Sequence, residues 1–119
     1  MEIVITGFGN KGDLANERVG LKVLRDCDTK FYLLFKTSFS PNNIFLNRTN
    51  ASYWFAPRNV KTGDQIVVYT RAGNDSQQVN PDGTTTYFLY WGLSQPIYGT
   101  GDSGVVLTEI KSWDSSKGK

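Results

Sequence analysis

The 119-residue chain contains no histidine, one cysteine (Cys27), one methionine and four prolines. Each shortage removes a kind of chemistry. Histidine is the commonest general base near neutral pH and the commonest transition-metal ligand, so its absence leaves few routes to catalysis. A single cysteine closes no intramolecular disulfide and builds no zinc site. No apolar run approaches the roughly 20 residues that a membrane-spanning helix needs. Charge is nearly balanced, with 13 Lys and Arg against 11 Asp and Glu for a formal +2. That surplus is too small to predict nucleic-acid binding by electrostatics alone.

The opening segment Glu2-Ile3-Val4-Ile5-Thr6 does not resemble a signal peptide, being short, acidic at its start and stopped by glycine. Three Asn-x-Ser/Thr sequons begin at Asn47, Asn50 and Asn74, and they read as chance matches in polar loops. A reducing compartment follows as the expectation, with the cytoplasm as the default and no membrane association.

What the chain does have is rings: three Trp, six Tyr and seven Phe. With β-branched residues these favour sheets, and the periodicity is two rather than 3.6. Strands are predicted at Ile3–Ile5, Arg18–Arg25, Phe31–Phe39, Ile44–Leu46, Tyr53–Phe55, Gln65–Arg71, Thr85–Trp91 and Gly104–Ile110. Val19, Leu21 and Val23 share one face of the second. Alternation places Phe55, Val67, Tyr69, Leu89, Trp91 and Leu107 inside. Only Asp13–Asn16 suits a helical turn. The longest polar loop is Ala72–Gly83, ending in the turn signal Asn80-Pro81-Asp82-Gly83. These elements make one all-β domain over residues 1–113, an antiparallel sandwich of about eight strands, with a polar tail over 114–119.

The order of several short motifs resembles one family. Glu17-Arg18-Val19-Gly20-Leu21, Tyr53-Trp54-Phe55-Ala56-Pro57, Val60-Lys61-Thr62-Gly63-Asp64, Tyr90-Trp91-Gly92 and Gly101-Asp102 follow one another as in lamin-tail domains. Two features depart from that pattern: Phe31 or Tyr32 stands where the family often has tryptophan, and Tyr98-Gly99-Thr100 replaces its late turn. The resemblance implies an immunoglobulin-like sandwich attached to larger assemblies or found beside nucleases.

Two strings imitate catalytic motifs. Gly7-Phe8-Gly9-Asn10-Lys11-Gly12 fits the dinucleotide pattern GxGxxG, but period-two residues follow it instead of a helix. It reads as a glycine-rich loop between strands. Gly101-Asp102-Ser103-Gly104 copies the surroundings of a protease nucleophile. That chemistry needs a base to take the serine proton, and nothing at Lys111 specifies one. It reads as a turn in which Asp102 bonds its own backbone. Oxygen ligands for a hard cation exist at Asp26 and Asp28, or at Asn74, Asp75 and Asp82, without an EF-hand spacing. A glycosidase pair would need Glu17, Glu109 or an aspartate in a cleft. Asp26 and Asp28 disfavour the Cys27 thiolate and so argue against a nucleophile. The expectation is therefore no enzyme, no metal and no cofactor.

Recognition is what remains. If Tyr53 and Phe55 point inward, Trp54 points outward, toward solvent, a loop or a partner. Arg48, Arg58 and Arg71 flank neighbouring strands, and tryptophan with arginine is the composition of a protein-binding hot spot or a single-strand nucleic-acid platform. The expectation is a binding module for protein, centred on Trp54, Arg58, Arg71 and Arg48. A nucleic-acid-linked role and a small cytosolic inhibitor or immunity protein are the alternatives.

Overall fold

The segment Arg18–Val23 illustrates why this chain forms sheet. Val19, Leu21 and Val23 fall on one side of the pleat and are fully buried, while Arg18, Gly20 and Lys22 fall on the other. An alternating strand of this kind is stable only when one face is covered and the other meets water. The computed structural model describes residues 1–42, 44, 51–99 and 101–118, and among these the pattern recurs in strand after strand.

The strands are β1 (Ile3–Gly9), β2 (Arg18–Val23), β3 (Cys27–Asp28), β4 (Tyr32–Ser38), β5 (Ser52–Trp54), β6 (Asn59–Val60), β7 (Gln65–Arg71), β8 (Ser76–Val79), β9 (Thr85–Leu93) and β10 (Ser103–Glu109). They form a five-stranded sheet in the order β1-β2-β7-β9-β8, a three-stranded sheet β10-β4-β5 and the short pair β3-β6. All pairings are antiparallel except β7 with β9. The chain leaves β7, turns back along the outer edge as β8, and inserts β9 between the two. A short 3-10 turn at Thr29–Phe31 precedes β4, its first amide region capped by the Asp28 carboxylate, which accepts from Lys30 N.

The fold is all-β, with two sheets packed over a common core. Val19, Leu21, Val23, Ile66, Val68 and Leu89 enter it from the larger sheet, and Tyr32, Leu34, Phe55 and Leu107 from the smaller side. Tyr53 and Phe55 meet edge-to-face at 4.9 Å inside it.

Several expectations need correction. Val67 and Tyr69 do not point inward: Ile66, Val68 and Thr70 are the buried set of β7, and Val67 and Tyr69 lie half-buried on its outer face. Trp91 is only partly buried, packed against the core. Leu89, Phe55 and Leu107 are buried as expected. The glycine-rich segment is not a loop at its start, because β1 runs through Gly9 with a bulge between Ile5 and Gly7, where Gly7 takes φ +151°. The polar stretch after Ala72 contains a strand, β8, exposed along its whole length. The expected strand at Ile44–Leu46 lies outside the described residues, apart from Ile44. At Asn80–Gly83 the turn forms as predicted, Gly83 donating to Asn80 O at 3.0 Å with φ +88°.

Candidate functional site

Trp54 closes the short edge strand β5. Its neighbours Tyr53 and Phe55 face the core, and pleat alternation turns the indole outward, where it is 47% exposed. The indole is held in place: Nε1 donates to the Lys30 carbonyl at 2.8 Å. Trp113, from the segment after β10, meets it edge-to-face at 5.0 Å and 86°. Phe31 lies 6.0 Å from Trp113, with the Lys30 ammonium 5.1 Å above the Phe31 ring. Phe31 and Trp113 are themselves 36% and 49% exposed. Three rings thus form a ridge that keeps a large wet surface.

The ridge continues onto the outer face of the three-stranded sheet. Register places Trp54, Leu33 and Thr108 in one cross-strand row and Ser52, Phe35 and Val106 in the next. None of these six carries a charge. On its other side the ridge borders a recess of about 490 Å³ lined by Phe31, Tyr32, Cys27, Asp28, Glu109 and Lys111 among others.

The chemistry of that recess is not that of a nucleophile. Burial, and then the Glu2, Asp28, Glu109 and Asp26 carboxylates, push the Cys27 thiol above its ordinary value. The Tyr32 hydroxyl accepts from Glu2 N at 2.9 Å and donates to Glu109 at 3.3 Å. Burial pushes it up to about 12, reinforced by the Glu109 charge. Both groups stay protonated at neutral pH. The loop carboxylates are engaged by backbone and hydroxyl donors: Asp26 accepts from Thr62 N and Oγ1, Asp28 from Lys30 N and Arg58 N, Asp75 from Tyr90 N and Asp82 from Thr84 N and Oγ1. Among the described residues no three His, Cys, Asp or Glu side chains gather as a metal site.

The arginines expected beside Trp54 are dispersed. Arg58 is half-buried, its guanidinium 5.5 Å over the Tyr87 ring, at the rim of the core. Arg71 stands on the outer face of the five-stranded sheet, on the opposite side of the sandwich. There it covers Tyr69 at 5.3 Å and Tyr90 at 5.0 Å, and its Nε donates to Ala15 O. Arg48 lies outside the described residues. The site therefore consists of Trp54 with Trp113, Phe31 and Lys30. Sequence reading passed over Trp113 and Phe31 as site residues; the signal was a tryptophan beyond the last predicted strand, just before the polar tail, where it has no strand partners to bury it.

The most buried charged residue is not part of this site. Glu17 has no exposed surface. Its Oε2 accepts from Gly12 N at 2.7 Å and Tyr98 N at 3.1 Å, and its Oε1 from Ile97 N at 2.9 Å. One carboxylate thereby joins the β1–β2 turn to the segment before β10. Gly101-Asp102-Ser103-Gly104 is likewise structural: Asp102 O accepts from Phe39 N at 2.8 Å, and Ser103 begins β10 opposite Ser38.

No protein-family model matches the chain, and no curated protein matches it either. Among the described residues no helix is long and apolar enough to cross a membrane.

Proposed function

We infer that this domain is a non-catalytic binding module whose partner is a protein docking on the Trp54 ridge and the uncharged sheet face beside it. The observation that carries this reading is the ring cluster itself. Trp54, Trp113 and Phe31 are between 36% and 49% exposed, although they already pack against one another. Large exposed apolar groups next to an uncharged sheet face characterise interfaces, and aromatic anchors of this type often carry about 2 kcal/mol or more of binding. The hydrogen bond from Trp54 to Lys30 O fixes the indole before any partner arrives, which lowers the ordering cost of association. The likeness to lamin-tail domains, in the order of motifs from Glu17 to Ile110, supports a recognition role, and the protonated thiol of Cys27 supports the absence of catalysis. A cytoplasmic location belongs to the same proposal.

The test compares wild type with Trp54→Ala/Trp113→Ala in affinity capture from nuclease-treated native lysate, alongside thermal unfolding. The proposal requires that a captured protein be lost from the variant while its midpoint stays close to wild type. A collapse in stability with the captured set unchanged would make the rings a structural lid and remove the proposed interface.

A further inference from the structure

The opposite side of the sandwich has a different chemistry. Register across β1, β2, β7, β9 and β8 sorts its outward residues into three parallel rows. The first is Gly9, Arg18, Tyr69 and Tyr90; the second Gly7, Gly20, Val67, Phe88 and Ser76; the third Val4, Lys22, Gln65, Thr86 and Gln78. The middle row is uncharged, with Val67 and Phe88 at its centre, and the rows on either side of it carry Arg18 and Lys22. Together they make a trough that crosses the strands.

Gly20 has no room for a side chain of its own, because the Thr6 hydroxyl stands 2.7 Å from where its Cβ would be. With Thr6, Gly7, Phe8, Gly9, Arg18 and Val67 it lines a hollow of about 220 Å³. Val67 and Phe88 continue the floor, both half-buried. Residues two apart along a strand are about 7 Å apart, so the flanking rows stand about 7 Å to each side of the floor. Five strands at about 4.8 Å spacing make the trough about 19 Å long.

The walls are cationic. Arg18 stands in one and Lys22 in the other, both on β2, and Arg71 lies over the paired Tyr69 and Tyr90 rings, which stack at 5.2 Å and 12°. Arg18 gives one N–H to Asn16 O and Arg71 gives two to backbone carbonyls. Both guanidinium groups retain further donors. None of the residues in the three rows is acidic. Asp75, exposed beside β9, has its carboxylate engaged by Tyr90 N. The three rows together with Arg71 thus carry three cations and no acidic residue.

We propose that the trough binds single-stranded nucleic acid, a base stacking on Phe88 and Val67 while Arg18 and Lys22 hold the phosphates to either side. A base needs an uncharged apolar platform, and the phosphodiester on each side needs a cation within reach; the three rows supply both. The exposed Gln65 and Gln78 add amide groups beside this platform, suited to hydrogen bonding without strong sequence choice. A duplex keeps its base faces stacked and offers nothing to the floor. An acidic peptide would satisfy the walls and leave the floor bare. This face is separate from the Trp54 ridge, so the two proposals fail or stand independently.

The test is fluorescence anisotropy with a labelled oligothymidylate of about twelve nucleotides at about 50 mM salt, with the same length of duplex and a polyglutamate as competitors. Saturable binding is expected, falling steeply with added salt, at least about tenfold weaker for duplex and absent for polyglutamate. Arg18→Ala/Lys22→Ala should weaken binding at least about tenfold, as should the single change Lys22→Glu at an exposed position, while Trp54→Ala leaves it unchanged. In amide NMR spectra the oligonucleotide should shift Gly7, Gly20, Val67 and Phe88 and leave Leu33 and Trp54 in place. The proposal is overturned by absence of binding, by equal affinity for duplex or polyglutamate, by wild-type affinity in the variants, or by shifts confined to the Trp54 side.

Discussion

Glu17→Ala should be the most damaging substitution of a charged residue in this protein. The carboxylate is fully buried and accepts three backbone N–H groups, from Gly12, Ile97 and Tyr98. Removing an acceptor and leaving a buried donor unpaired costs about 1–3 kcal/mol. Three donors therefore give about 3–9 kcal/mol before relaxation, and water entering the vacated space places the expected loss in the lower half of that range. Domain stabilities are only about 5–15 kcal/mol, so the alanine variant should be marginally folded. Glu17→Gln is the finer probe. An amide oxygen at the Oε2 position retains Gly12 and Tyr98, but the NH2 then faces Ile97 N, donor against donor, and about 1–3 kcal/mol is lost. Urea unfolding measures the total. Amide hydrogen exchange locates it, because Ile97 should lose protection in the glutamine variant while amides in β4 keep theirs. Unchanged urea midpoints in both variants, with Gly12, Ile97 and Tyr98 still slow to exchange, would refute the reasoning.

Three further outcomes follow from the same structure. Ile66→Ala should cost about 2–5 kcal/mol and Val67→Thr less than about 1 kcal/mol by chemical denaturation, because Ile66 is inside and Val67 outside; the reverse order would show that β7 has the opposite face buried. Stability should be flat through neutral pH and fall as pH rises from about 10 toward 12. Tyr32 keeps its proton up to about 12 in the folded state against 10.0 ordinarily, burial raises Tyr98 as well, and the unfolded chain releases both protons first. Tyr32→Phe should flatten that fall in a pH series of unfolding midpoints, and an unaltered slope would rule out Tyr32 as a source. Asp26, held below its ordinary carboxylate value by Thr62 N, acts in the other direction: its contribution is present above about pH 4 and lost as acid protonates it.

Much of the fold was legible because burial leaves a period-two imprint wherever one face meets water. In β2 the apolar set Val19, Leu21 and Val23 alternates with Arg18 and Lys22 and admits one phase only. For Trp54 the alternation gave only a condition, outward if Tyr53 and Phe55 point inward, and it is the structure that meets it, leaving the indole 47% exposed. β7 was read in the wrong phase because Ile66, Val67, Val68 and Tyr69 are apolar on both faces. The deciding residues were at its ends: Gln65 and Arg71 share a phase with Val67 and Tyr69 and draw that set toward water. β8 left little trace, being an edge strand of Ser, Gln, Gln and Val exposed throughout, whose place depends on hydrogen bonds to β9 and not on its own side chains.

Taken alone, the sequence determined the class of fold and the position of most strands, because these follow from local alternation and turn chemistry. It also showed that this chain has no histidine to contribute to a site. Only the tertiary structure decided which side chains meet. It brought Trp113 and Phe31 to Trp54, sent Arg71 to the far side of the sandwich, collected Arg18, Lys22 and Arg71 on one sheet face, and buried Glu17 among three amides separated from it by up to 81 positions. Such contacts depend on strand order and register, which arise from the joint packing of two sheets and are written in no single stretch of the chain.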